Sequence, residues 1–431
     1  MTADAESNQR SLVPFIIMWL GQAFSLIGSQ IAQFALVWWL TQSTGSATVL
    51  ATATLVAVLP QVLLGPLAGA VVDRFNRKLI MMLADSLVAL AALWLIYQFW
   101  LGEAQVWQIY VIMLIRSLGG SFHWPAMQAS TSLMVPEKHL TRVAGFNQTL
   151  QGGLNIVAPP IGALLLAVMP MYGVLLIDVG TALVAVVNLF FVSVPQPEPD
   201  ELSAEDEGAT SPSLWGDMKA GLRYIWNWTG LMVLMCMAML INFILTPAFS
   251  LLPLLVTNHF HGGAIQLGWL ESSSGIGIVL GGLLLGIWGG FRRRIFTSLL
   301  GVSLMGLCTL VLGLTPATMF WLAIAMMFST GFLQPLTNGP IFAILQATVA
   351  PNMQGRVFTV VGSLSAAITP LSLLVAGPIA DAVGIQIWYI IGGIACVLVG
   401  VIAVFIPAVV NIEQSPQAER SVVAEISPLM E

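Results

Sequence analysis

Apolar residues run in long blocks along this chain, and polar residues gather in the short breaks between the blocks. A helix rises 1.5 Å per residue and needs about 20 mostly apolar residues to cross hydrocarbon. By that measure the blocks predict spans over 14–40, 46–72, 78–100, 105–133, 141–168, 171–194, 229–257, 264–289, 294–314, 317–348, 355–381 and 384–409. The longer ones predict tilt, or ends that project into water. Helices are expected throughout, because lipid offers backbone groups no partner and no alternating barrel pattern is present. The reading is an all-α membrane protein with twelve transmembrane helices.

Composition agrees. Of the 431 residues, 58% are apolar and 8% charged, against about a quarter charged in soluble domains. The net charge of −6 comes largely from 195–213, where Glu198, Asp200, Glu201, Glu205, Asp206 and Glu207 sit among prolines and serines. That stretch reads as a flexible linker, not as an address for a partner. The 14 basic residues are more informative. Arg10, Arg74, Arg77, Lys78, Lys138, Arg142, Lys219, Arg223, Arg292, Arg293, Arg294, Arg356 and Arg420 all fall on one side of the predicted zigzag. Such bias orients a chain, so both termini are expected in the cytoplasm and the protein in the cytoplasmic (inner) membrane. Residues 1–13 lack the features of a signal peptide. Cys236, Cys308 and Cys396 lie far apart within spans and point to neither disulfides nor a metal.

The two halves match at an offset of about 215 residues. Pro125 and Pro136 correspond to Pro340 and Pro351, and Arg142-Val143 to Arg356-Val357. Gly65 and Gly69 lead to Phe75, Arg77 and Lys78, as Gly282 and Gly286 lead to Phe291, Arg293 and Arg294. Two six-span copies running in the same direction are a layout of transporters whose halves rock about a central site. The expected domains are a bundle over 1–194, a linker over 195–228, a second bundle over 229–410 and a cytoplasmic tail over 411–431.

The stretch from Gly65 through Gly69, Asp73, Arg74 and Arg77 to Lys78 resembles the signature cytoplasmic loop of the major facilitator superfamily. Arg116 with Gly119 and Gly120 resembles that family's second motif. Gly152, Gly153, Pro159, Pro160 and Gly162 loosely resemble the span-five motif of drug/proton antiporters, with Ala158 where that motif has glycine. Asp73-Arg74, the stretch from Phe122 to Ala126, and Gly355 to Phe358 look most like the macrolide-efflux branch. The resemblance implies the major facilitator fold, proton antiport, and export of macrolide-like or other bulky amphiphilic compounds by alternating access. It also implies a conformational latch carried by Gly65, Gly69, Asp73, Arg77 and Arg356. Asp73 is suited to that role, since a helix N-terminus favours a nearby carboxylate. In the second copy Gly289 stands at the place of Asp73, so the latch is expected on one side alone.

Arg116 lies near the middle of its span, where an arginine costs at least about 2.5 kcal/mol and must face a cavity or a partner. Asp85, Asp178 and Glu271 are the carboxylates within spans. One of them, with Asp178 and Glu271 foremost, is the expected proton carrier beside Arg116; the alternative is that each is a structural acid. Polar residues also recur every three or four positions, and so share helix faces. Those singled out for substrate are Gln22, Gln33, Trp124, Asn147, Gln151, Asn155, Asn242, Phe243, Gln334 and Asn338. Amides among aromatic rings suit a large, mostly apolar ligand with scattered oxygens. Bonds between helices are the alternative use of those faces.

No phosphate loop, nucleophile elbow or paired-histidine zinc motif occurs, so neither enzyme activity nor a cofactor is expected. Expected partners are a small amphiphilic substrate, protons and membrane lipid, with no nucleic acid, and the chain is expected to be a monomer. The competing readings are an exporter of a siderophore or lysolipid, and a membrane sensor or scaffold that no longer transports.

Overall fold

The computed structural model describes residues 12–196 and 214–414. Arg10, Arg420 and the acidic stretch from Glu198 to Glu207 lie outside the described residues. Those described are helical, with no strand among them. Helices α1 to α6 span Val13–Thr44, Ala47–Arg74, Arg77–Leu101, Val106–Met134, Glu137–Val168 and Met171–Phe191. A shorter α7, Leu214–Trp226, precedes α8, Thr229–Ser250. Then come α9, Ala264–Trp288; α10, Arg294–Leu314; α11, Phe320–Thr348; α12, Pro351–Val383; and α13, Gln386–Val404.

The breaks carry their own chemistry. Helix α1 stops where Gly45 turns left-handed at φ 62°, and Ser46 then accepts from the Val49 amide to start α2. Asn76 starts α3 in the same way, accepting from Leu79. A side-chain oxygen there satisfies one of the amides that a helix start leaves bare. The seventh predicted span ends earlier than expected. Helix α8 stops at Ser250, a short turn Leu252–Leu254 follows, and Leu255–His259 is π-helical. Pro253 has no N–H to continue the ladder, so the helix breaks and rewinds.

Among the described residues, eleven helices are long and apolar enough to cross a membrane. Helix α4 has 29 residues but lies outside that set; it carries Arg116 and His123. The outward faces are apolar: Ile287 is 87% exposed and Phe191 79%. Such surfaces require hydrocarbon around them, and the chain is a multi-pass membrane protein.

Contacts divide the chain into two compact units. Of the described residues, the first holds 12–196 with 256–258 and 262–272, and the second holds the rest. In the first, Phe15, Met18, Val72, Met81, Met127 and Leu189 form one buried cluster. The opening turns of α9 belong to this unit, with Ser272 donating to the Ile156 carbonyl at 2.8 Å.

In the second unit, Ile225, Trp228, Leu231, Ile295, Leu345 and Val357 pack together. Helices α10 and α13 meet at glycines. A methyl on Gly393 would lie 2.5 Å from the Leu310 amide nitrogen, and one on Gly306 would lie 2.7 Å from Cys396 Cβ. Lipid tails are as apolar as side chains, so close backbone approach of this kind supplies much of what holds such helices together.

Candidate functional site

Arg116 finds a partner inside the first unit. Its Nη1 donates to Asp178 Oδ2 at 2.5 Å, joining α4 to α6, with the two side chains 12% and 3% exposed. Its Nη2 donates to the Ser29 carbonyl on α1 at 3.0 Å, and Ser29 Oγ donates to Asp178 Oδ1 at 3.1 Å. Three helices therefore meet in one closed set of charge-assisted bonds, which are about twice as strong as neutral ones. The close approach of α1 and α6 depends on Gly28, where a methyl would collide with the Thr181 hydroxyl and lie 3.1 Å from Asp178 Cα.

This network borders a cavity of about 420 Å³ lined by Gln22, Ser25, Ser29, Gln33, Gln61, Asp85, Arg116 and His123 among others. Asp85 on α3 and His123 on α4 face each other, with His123 Nε2 3.4 Å from Asp85 Oδ1. Gln22 Nε2 donates to Asp85 Oδ2 at 3.3 Å. Across the network and the cavity wall, two carboxylates stand against one guanidinium.

The second unit holds a cavity of about 400 Å³ of a different character. Asn242, Thr246 and Ser250 of α8 and Gln334, Thr337 and Asn338 of α11 supply its amides and hydroxyls, among Met237, Phe249 and Met305. None of its lining residues is charged. Ser298 also lines it, and its Oγ is buried without a hydrogen-bond partner.

The residues singled out from sequence thus fall into groups. Gln22, Gln33, Asp85 and Arg116 share the first cavity, and Asp178 holds Arg116 from behind. Asn242, Gln334 and Asn338 share the second. Asn147 instead accepts from Trp19 Nε1 at 2.6 Å, tying α5 to α1. Gln151, Asn155, Trp124, Phe243 and Glu271 line neither cavity. Asn155 and Trp124 are exposed, and the carbonyl of Phe243 accepts from the Ser372 hydroxyl.

The Asp85–His123 pairing escaped sequence reasoning, although a signal was present. Helices α3 and α4 are an antiparallel hairpin around Gly102–Gln105, and the two residues lie almost equally far from that turn. Gln61, Gly28 and Ser298 were missed outright, each being an ordinary residue made particular by its neighbours.

At the α2–α3 turn, Asp73 is exposed and lies 3.7 Å from Arg77, which is buried and donates to the Ala129 carbonyl at 2.9 Å. Lys78 caps the end of α6, donating to the carbonyls of Phe190 and Val192, where a cation suits the helix dipole. Within the first unit, a methyl on Gly65 or Gly69 would meet open space. The second copy differs in backbone as well as sequence: Gly289 has φ 74°, a conformation an aspartate would adopt only with strain. Arg356 lies in the first turns of α12. Among the described residues no cluster of three His, Cys, Asp or Glu side chains could hold a metal ion.

The Major Facilitator Superfamily pattern matches residues 18–255 and again 247–428. Macrolide efflux protein A of Streptococcus pyogenes is 34% identical over 388 residues, covering 90% of this chain and 94% of that protein. The multidrug efflux pump Tap of Mycobacterium tuberculosis (strain ATCC 25618 / H37Rv) is 27% identical over 422 residues, covering 94% and 96%. In fold, the chain is similar to the nucleoside transporter NupG, with a TM-score of 0.68 at 12% identity, covering 90% of this chain and 97% of that one. A POT family transporter in complex with a thioalcohol-conjugated peptide gives 0.67 at 13% identity, covering 92% and 96%. Its helices, its repeated halves and the motifs at Asp73 and Arg116 lead to the same place as these likenesses: the chain belongs to the Major Facilitator Superfamily.

Proposed function

We propose that this protein exports bulky amphiphilic compounds, macrolide-like antibiotics among them, across the cytoplasmic membrane in exchange for protons. The observation that carries the reading is the buried Arg116–Asp178 pair beside a cavity that also holds Asp85 and His123. Charged groups inside a membrane protein are costly and mark ion and substrate paths. A scaffold would have no use for them. The names of the relatives, a macrolide efflux protein and a multidrug efflux pump, support drugs as the cargo.

In this reading the chain has twelve spans, α4 among them, and acts as a monomer with both termini in the cytoplasm. The halves 1–194 and 229–410 alternate access to substrate, joined by 195–228. Asp85 and Asp178, with Arg116, carry the proton exchange; Glu271 remains a separate candidate. Asn242, Gln334 and Asn338, with Gln22 and Gln33, receive the substrate. Gly65, Gly69, Asp73, Arg77 and Arg356 serve as the conformational latch.

Expression in a drug-sensitive bacterial strain tests the cargo. Reduced susceptibility to macrolides is expected, and an unchanged profile for every antibiotic, with good membrane expression, overturns the reading. The latch has its own test. Asp73→Asn is expected to lower the rate of drug export from energised vesicles at least tenfold while leaving protein yield intact. A rate equal to that of the parent protein would remove Asp73 from the mechanism.

A further inference from the structure

Helix α7 sorts its side chains into adjoining rows. Gly221, Ile225 and the following Trp228 form the buried row, which packs on the start of α12 through Val357 and Val360. The fit is close: a methyl on Gly221 would lie 2.8 Å from the Arg356 carbonyl oxygen. Beside that row, at intervals of four, stand Met218, Leu222 and Trp226, which are 37%, 42% and 72% exposed. Next around the helix come Lys219 and Arg223, both exposed.

Position matters as much as pattern. Helix α7 ends at Trp226, and the apolar helix α8 begins at Thr229. Two residues separate α7 from a membrane span, so it lies at the edge of the bilayer. A helix held there by one face has one side toward the protein, an adjacent side toward lipid and the rest toward water. The exposed apolar row adjoins the protein-facing row, where a lipid side would fall, and the cations border it. Apolar side chains with a basic margin are what an interfacial helix presents to anionic headgroups.

We propose that α7 lies in the membrane surface, inserting Met218, Leu222 and Trp226 among acyl chains, with Lys219 and Arg223 binding the phosphates of anionic lipids. Through Gly221 and Ile225 the same helix bears on the start of α12. Each cation near such a surface favours anionic lipid by roughly fivefold.

The test uses the full chain with Cys236, Cys308 and Cys396 replaced by serine, carrying one spin label at 218, 220, 222 or 227. Each variant is reconstituted in vesicles of phosphatidylcholine, with or without phosphatidylglycerol. The ratio of accessibility to oxygen over a water-soluble nickel complex is expected to be several-fold higher at 218 and 222 than at 220 and 227. Phosphatidylglycerol is expected to raise it further, and the double variant Lys219→Glu/Arg223→Glu to abolish that rise.

Equal ratios at all four positions would overturn the proposal. So would a rise caused by inorganic phosphate alone, which would mean a free anion, or ratios that ignore phosphatidylglycerol but respond to neutralising Glu205, Asp206 and Glu207. That last result would assign the cations to the linker. None of these readings depends on whether the cargo is a macrolide.

Discussion

Replacing Arg116 by glutamine is expected to abolish export and to cost about 3–5 kcal/mol of stability, because it leaves Asp178 charged and buried without its partner. The double variant Arg116→Met/Asp178→Leu removes both charges. It is expected to recover most of the stability, since a buried ion pair replaced by apolar residues of similar size is often near neutral. Export is expected to stay absent. Thermal unfolding in detergent and drug export from energised vesicles measure the two separately. If the double variant transports, the pair is architectural and proton exchange belongs elsewhere. If both variants are equally unstable, the Ser29 bonds rather than charge hold the three helices together.

Gly393→Leu is the second change expected to have a large effect. A side chain there would collide with Leu310 on α10 along its backbone as well as its side chain. Backbone cannot rotate aside, and overpacking a fitted seam costs about 1–3 kcal/mol or more. Little hydrophobic drive exists between helices in lipid to offset the loss. The yield of monodisperse protein in detergent is expected to fall several-fold. Gly282→Leu makes the control, because a methyl at Gly282 meets open space. Equal yields from the two variants would mean that the α10–α13 seam is not what secures the second unit.

The helices were legible in the sequence because hydropathy alone dictates where a chain can cross lipid. Arg116 declared itself for the same reason: a lone guanidinium deep in an apolar block has to be answered by something. Its answer, Asp178, was visible as an intramembrane acid, but its match to Arg116 depends on how α1, α4 and α6 pack at Gly28. The Asp85–His123 pair was hidden likewise: Asp85 stood out as an intramembrane acid, but its match to His123 shows only when two neighbouring helices set them face to face. Polar faces were legible as faces and not as destinations. Asn242, Gln334 and Asn338 line one cavity, while Asn147, with the same spacing credentials, is spent on Trp19. Helix α7 went unread because its 13 residues adjoin an acidic stretch that dominates the composition of the region.

The distance in sequence between Arg116 and Asp178, 62 residues, has a consequence for how the protein is made. A ribosome delivers α4 to the insertion machinery well before α6 exists. During that interval the guanidinium lacks the Asp178 carboxylate, and α4 lies outside the set of described helices apolar enough by composition to cross a membrane. If α4 is the twelfth span, its settled insertion is expected to wait on α6. A nascent chain stalled between residues 134 and 171 should still hold α4 within reach of water, and release through residue 191 should let it settle.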